Sequence, residues 1–201
     1  MGLIWKGKYT SEEQLPNANL PANAVRFKEP ETPAELSRVA SLFIIPVIII
    51  LAVSIIVKSL VDPSAISLGI INFWGLLLAL LMVIPHELIH AIAFPKHAEV
   101  QIWYSLKNMM AFVFTTCPMS KYRFVFISLL PNIIFGLIPL IIWILIPLKY
   151  DQISGILFSF SAFSLMMGVG DFLNVFNATI QMPKNSMTQL SGFHSYWYMP
   201  N

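Results

Sequence analysis

The chain has 201 residues, of which 57% are hydrophobic and only 11% are charged. Soluble domains carry about 25% charged residues, so this composition predicts an integral membrane protein. The formal net charge of +2 is too small and too scattered for a protein that binds nucleic acid. The single cysteine, Cys117, excludes an internal disulfide.

Residues 1–38 are polar and contain prolines, and the first apolar run begins only near Val39. A cleavable signal peptide begins closer to the N-terminus, so we expect a cytoplasmic N-terminal segment followed by a retained membrane anchor. The motif "TPAE" at 32–35 is typical of a helix start, with a threonine cap and a proline in the first turn. A helix is therefore predicted to begin there and to continue into the first span.

Four later segments are long and apolar enough to cross a bilayer, which takes about 20 helical residues. They are residues 39–57, 66–94, 124–148 and 153–176. They predict an all-α integral membrane protein with four transmembrane helices, in which residues 39–176 form the membrane domain. Residues 177–201 are expected to form a cytoplasmic C-terminal tail.

The loop at 96–123, between the second and third spans, contains two stretches rich in β-branched and aromatic residues, "VQIWYSL" and "MAFVFTT". They are separated by "KN", and this pattern predicts a small interfacial β-hairpin. Ten of the twelve lysines and arginines lie in this loop and the two tails. This asymmetry predicts a multi-pass protein with both termini in the cytoplasm.

The second span ends with "PHELIHAIAFP", which places two histidines and a glutamate in an apolar helix. His86 and His90 are four residues apart, so both imidazoles lie on one face and can hold one Zn²⁺. Glu87 is offset from them and can act as a general base on a water at the metal. Ionisable groups inside a span are costly and usually functional, although a hydrogen-bonded packing cluster is the alternative.

A catalytic zinc site needs a third protein ligand and an open position for water. Asp171 is the only carboxylate inside the fourth span. His86 lies about 30 Å along the helix from the start of its span, and Asp171 lies about 27 Å from the start of its own. The two residues are therefore expected at similar depth. His97 and His194 remain alternatives for the third ligand.

Two asparagines are further candidates for contacts near this site. Asn174 follows Asp171 by one helical turn, and Asn132 follows Pro131 in the third span. Each can orient the aspartate or bind substrate. The common alternative for each is a hydrogen bond between helices.

Several motifs resemble one known family of membrane proteins. The motifs are "PHELIHAIAFP", "MSKYRFVFISLLPN", "GVGDFLNV" and "GFHSYWY", within about residues 80–198, together with "NAVRFKEP" upstream. They resemble a bacterial family of zincin peptidases of unknown function, more distantly similar to the site-2 intramembrane metalloproteases. This resemblance implies a protein of the bacterial inner membrane.

The more distant resemblance also assigns residues. In site-2 proteases two histidines and a remote aspartate hold the metal, which implies His86, His90 and Asp171 as Zn²⁺ ligands and Glu87 as the catalytic residue. The aspartate of that family lies in a proline-aspartate-glycine context. Here Asp171 lies between Gly170 and Phe172, which is a departure from the pattern.

The leading functional hypothesis is a membrane-embedded zinc metallopeptidase that hydrolyses peptide bonds of a membrane protein or peptide through a metal-activated water. An extended substrate could add to the predicted hairpin as a strand. The residues predicted to form this edge are Ala111, Phe112, Val113, Phe114, Thr115 and Thr116. An interfacial hairpin that only anchors two spans is the alternative.

Two other functions are alternatives to proteolysis. A membrane chaperone or regulator with a structural zinc site needs the ligands but no base, so the presence of Glu87 favours an enzyme. A metal transporter needs a polar path through the other spans, which the sequence lacks. Cys117 is either a small buried residue or a thiolate ligand at the open zinc position.

Overall fold

The computed structural model describes residues 2–61, 70–108, 110–145 and 151–200. Its helices largely follow the apolar runs of the sequence. They are α1 (Pro33–Ser41), α2 (Ile44–Val61), α3 (Phe73–Leu81), α4 (Val83–Ala93), α5 (Lys121–Pro131), α6 (Ile138–Leu145), α7 (Asp151–Met167) and α8 (Val169–Gln181). A π-helix, Asn132–Leu137, joins α5 to α6, so these three segments form one helical rod.

The described residues also contain seven strands and one short 3₁₀ helix, Glu12–Gln14. The strands are β1 (Gly2–Lys8), β2 (Val25–Arg26), β3 (Glu99–Ser105), β4 (Met110–Phe114), β5 (Met119–Ser120), β6 (Met187–Ser191) and β7 (His194–Tyr198). They form a three-stranded sheet in the order β1-β3-β4 and a four-stranded sheet in the order β2-β7-β6-β5.

The prediction of an all-α protein is therefore wrong. The hairpin of β3 and β4 is present, with Ile102 opposite Val113, but β1 extends it as a parallel strand. The second sheet combines β2 of the N-terminal segment, β6 and β7 of the C-terminal tail, and β5 at the end of the loop, and the sequence predicted none of these strands. A search for long apolar runs detects membrane helices, whereas short half-buried strands leave no such run.

The described residues contain two to four candidate membrane spans. Residues Pro33–Val61 and Lys121–Leu145 are each long and apolar enough to cross a membrane. The pairs α3–α4 and α7–α8 pass the same test together, but they are bent by 41° and 50°. The chain is thus suited to association with a membrane, and four spans are present only if each bent pair is one span. The first part of the predicted second span (66–69) and the last part of the third (146–148) lie outside the described residues.

The first span begins where the sequence predicts it. Thr32 is the N-cap of α1, and its hydroxyl accepts a hydrogen bond from the backbone N–H of Glu35 at 3.3 Å. The Glu35 carboxylate accepts from the backbone N–H of Glu31 rather than from that of the cap residue. These contacts satisfy N–H groups that have no partner within the helix.

Helices α3 and α7 pack closely through a small residue. A Cβ on Gly75 would overlap the carbonyl oxygen of Ile156 and lie 2.7 Å from the Cβ of Ser159. Only glycine allows the two backbones to approach this far. On the other side of α7, Trp143 and Leu165 belong to the buried core between the helices.

Hydrogen bonds link the start of α5 to the end of α8. The Lys121 ammonium, at the start of α5, donates to the carbonyl oxygens of Thr179 and Met182 at 3.2 and 2.5 Å. A cation at this position satisfies carbonyls at the C-terminus of α8 and interacts favourably with the helix dipole. Strand β5 leads directly into α5, and it pairs with β6 beyond the end of α8. The second sheet therefore fixes how these two helices lie against each other.

Candidate metal centre

Two histidines on α4 converge because of their helical spacing. His86 and His90 lie one turn apart, with ring centroids separated by 4.9 Å and planes inclined by 76°. α4 begins after a 41° bend at Met82, which turns it away from the direction of α3. His90 is buried, and His86 is partly buried.

Glu87 lies beside the two histidines and is 8% exposed. One ligand-capable atom of each of His86, Glu87 and His90 lies within 4.8 Å of those of the other two. A carboxylate buried among apolar side chains is costly unless charged or hydrogen-bonding partners surround it. Its retention at this position points to a chemical role.

Asp171 reaches the same point from another helix. Its Oδ2 lies 3.1 Å from Nε2 of His86, and its Oδ1 lies 3.2 Å from Nε2 of His90. Asp171 is in the first turn of α8, which begins at Gly168 after a 50° bend from α7. The bend places an aspartate in the first helical turn beside the histidines, so both imidazoles have a carboxylate oxygen within reach.

The contacts of His90 test whether a metal ion fits here. Its Nδ1 lies 2.9 Å from the carbonyl oxygen of Ile127, which fixes Nδ1 as the protonated nitrogen. A neutral imidazole has only one N–H, so Nε2 then has a lone pair directed toward the Asp171 oxygen. Two lone pairs then face each other, and a proton or a metal ion between the two atoms makes their approach favourable. Two imidazole nitrogens and a carboxylate are a ligand set of catalytic zinc sites, so the residues fit Zn²⁺.

The structure brings one of the two asparagines to this cluster. Asn132 is 2% exposed, and its Nδ2 donates to Asp171 Oδ2 at 2.8 Å. The side chain of Asn174 is exposed and is not among the described groups that contact Asp171. Of the two candidate asparagines, Asn132 is thus the one that touches the aspartate.

The predicted substrate edge, residues 111–116, includes most of β4 and lies against α4. β4 is an edge strand, because it pairs with β3 on one side only. The helix that packs against this strand, α4, is the one that carries Glu87. Backbone groups alternate in direction along a strand, so the groups of Ala111, Val113 and Thr115 face one side together.

The other candidates lie elsewhere. His97 is exposed, and its Nε2 is 3.4 Å from the Cys117 sulfur. Burial raises the pKa of the Cys117 thiol more than Arg123 lowers it, which disfavours the thiolate that would bind zinc.

His194 belongs to a separate cluster of polar side chains that links β7 to the N-terminal segment. Its Nδ1 lies 3.6 Å from Glu29 Oε1, and the guanidinium of Arg26 lies 3.0 Å from both ring nitrogens. Burial raises the pKa of Glu29, and a 2.6 Å hydrogen bond from the Ser195 N–H opposes that rise.

One contact of the site involves a backbone group that the sequence did not reveal, the Ile127 carbonyl at His90. Every residue offers such a group, so no residue type marks it. The only sequence signal near it is Pro131, four residues after Ile127.

Comparison with known proteins gives one family. Residues 79–187, more than half of the chain, match the model of a family described as "putative zincin peptidase". The matched range contains α4, the hairpin, α5 and α8, and hence every residue of the cluster. The chain has no significant match among curated proteins or solved structures.

We expect His86→Ala and His90→Ala each to lower the zinc content of the purified protein well below that of wild type. Each substitution removes one imidazole from the cluster and leaves an incomplete site. Atomic absorption on detergent-solubilised protein measures this directly. His97→Ala and His194→Ala are matched controls that should retain the metal, and equal zinc content in all four variants would refute the assignment.

Proposed function

Because the chain belongs to this zincin peptidase family, we propose that it is a membrane-embedded zinc endopeptidase acting on membrane proteins or membrane-associated peptides. One observation carries the proposal: Glu87 lies buried next to a cluster in which both histidines and Asp171 converge. The general resemblance to site-2 proteases supports the same arrangement, with His86, His90 and Asp171 as ligands. A purely structural metal site would need no buried glutamate there.

In this mechanism the protein residues bind the metal and move one proton. Zn²⁺ would be held by His86, His90 and Asp171, and when bound it supplies a Lewis acid that polarises the scissile carbonyl and acidifies water. Glu87 accepts a proton from the attacking water as the new C–O bond forms. The same carboxyl then gives that proton to the leaving amine nitrogen as the C–N bond breaks.

The edge of β4 supplies a place for the substrate backbone. A peptide in extended form can pair with the outward-facing groups of Ala111, Val113 and Thr115. Helical substrates have carbonyls that are already hydrogen-bonded, so they must unwind before cleavage. Pairing with β4 stabilises the unwound form and holds it close to α4, the helix that carries Glu87.

The distribution of positive charge supports an orientation in the bacterial inner membrane with both termini in the cytoplasm. Ten lysines and arginines lie in the tails and the 96–123 loop, against two elsewhere. A reporter active only in the cytoplasm should therefore be active when fused after Asn201. The same reporter should be silent when inserted near Asp62, and the reverse pattern would contradict this orientation.

We expect Glu87→Gln to keep its zinc and its fold but to lose turnover by a factor on the order of 10² or more, because a positioned general base contributes about 10²–10⁴-fold. Cleavage of single-span model substrates in proteoliposomes, with zinc content measured in parallel, tests this. Asp171→Asn is the contrasting variant, since a neutral amide is a poor zinc ligand and metal affinity should fall. Full cellular function in Glu87→Gln with loss in Asp171→Asn would favour a non-proteolytic chaperone or regulator.

A proline at position 111 tests the substrate edge. Ala111→Pro removes an N–H that faces away from β3, so the sheet should persist, as prolines are tolerated at such edge positions. We expect KM for a peptide substrate to rise several-fold with kcat little changed, because one hydrogen bond contributes about 0.5–1.5 kcal/mol. Ala111→Val, which keeps the N–H, is the control, and an unchanged KM in the proline variant would exclude this edge.

A further inference from the structure

We infer that the dipeptide Pro131–Asn132 positions two of the proposed metal ligands, His90 and Asp171. Neither residue would touch the metal or the substrate. Pro131 leaves a backbone carbonyl free to hold the His90 ring, and Asn132 holds the Asp171 carboxylate. The inference rests on the proposed metal site but not on proteolysis.

The role of Pro131 follows from its missing N–H. In an α-helix the N–H of residue 131 would donate to the carbonyl of residue 127, four positions earlier. Proline has no N–H, so the Ile127 carbonyl lacks its usual helical donor. The backbone N–H of the next residue, Asn132, turns to Leu129 instead. The Ile127 oxygen is therefore free, and the His90 Nδ1 lies 2.9 Å from it.

This contact determines the chemical state of His90. The carbonyl can only accept, so it selects the tautomer with the proton on Nδ1 and the lone pair on Nε2. Nε2 is the atom that faces Asp171 at 3.2 Å. In metal sites generally, a hydrogen bond from the other ring nitrogen of a ligand histidine orients the ring and increases its basicity.

Asn132 acts on the other ligand. An ionised carboxylate only accepts hydrogen bonds, so the asparagine must present its NH₂ group to Asp171 Oδ2, at 2.8 Å. The amide oxygen is then directed away, and no described group donates to it. An acceptor buried without a donor costs free energy, and such a cost is typical of a group kept in place for function.

The local backbone positions Asn132. It begins the π-helix Asn132–Leu137, and single π turns are rare and frequently lie at functional sites. Its amide packs directly on Gly168, where a Cβ would overlap the Asn132 Oδ1. Gly168 is also the N-cap of α8, the helix that carries Asp171. Because this glycine has no side chain, the Asn132 amide has room to reach Asp171.

The test uses the full-length protein in detergent and measures zinc affinity by competition with a chromophoric chelator. Pro131→Ala restores an N–H that competes for the Ile127 carbonyl, and Asn132→Leu removes the amide while keeping the number of side-chain heavy atoms. We expect each to weaken zinc binding by about 10–100-fold, the usual effect of losing a partner of a ligand. The visible spectrum of the Co²⁺-loaded protein should change in the same variants.

Matched controls separate positioning from stability. Pro139→Ala changes a proline in α6 of the same helical rod, and Asn177→Leu changes a buried asparagine on α8 that contacts Gln181. Both should keep the wild-type zinc affinity and Co²⁺ spectrum. Pro131→Ala should also leave the metal-free protein at least as resistant to heat as wild type, because alanine favours the helix. A residue with a structural role only would lower heat resistance and metal affinity together.

A second variant keeps the test decisive if Asn132→Leu does not fold. Gly168→Ala should displace the Asn132 amide and weaken zinc binding, yet have no further effect in an Asn132→Ala background, where the overlapping atoms are gone. Wild-type affinity in both Pro131→Ala and Gly168→Ala would overturn the inference even if the protein cleaves peptides. Weakened binding in these variants without peptide cleavage by wild type would instead overturn only the proposed function.

Discussion

The carboxylate of Asp171 joins three parts of the chain that are distant in sequence. From α8 it contacts His86 and His90 on α4, and it accepts a hydrogen bond from Asn132 at the end of α5. A charge buried between helices is tolerated only when such partners surround it. The packing of these helices and the chemistry of the cluster therefore depend on the same few contacts.

Irregular backbone brings these partners together. α4 and α8 each begin at a bend, and Asn132 begins a π-helix after a proline. The bends at the start of α4 and α8 redirect their polar side chains toward a common point. Within a membrane such breaks are tolerated where neighbouring groups satisfy the freed backbone. Here the ring of His90 does so for the Ile127 carbonyl.

The structure brings together His86, Glu87, His90 and Asp171, which the sequence singled out, and their roles as ligands and base stay predictions. Residue type and spacing mark them, since three share one short motif and Asp171 is a carboxylate in an apolar run. The predicted all-α fold, in contrast, is wrong. The strands of the N-terminal segment were missed because they pair with partners far away in the chain. In the tail, β6 and β7 form a local hairpin whose two-residue turn begins with Gly192, a signal that the sequence does carry. Backbone contacts such as that of the Ile127 carbonyl with His90 depend on tertiary structure, and no sequence pattern encodes them.

The position of β4 has a consequence for substrate selectivity. β4 is an edge strand, and it lies against α4, the helix that carries Glu87. A peptide that joins such an edge pairs through its backbone, and every sequence has the same backbone groups. An enzyme that recognises its substrates in this way would accept many sequences. Its selectivity would then depend on which membrane proteins can expose an unwound segment.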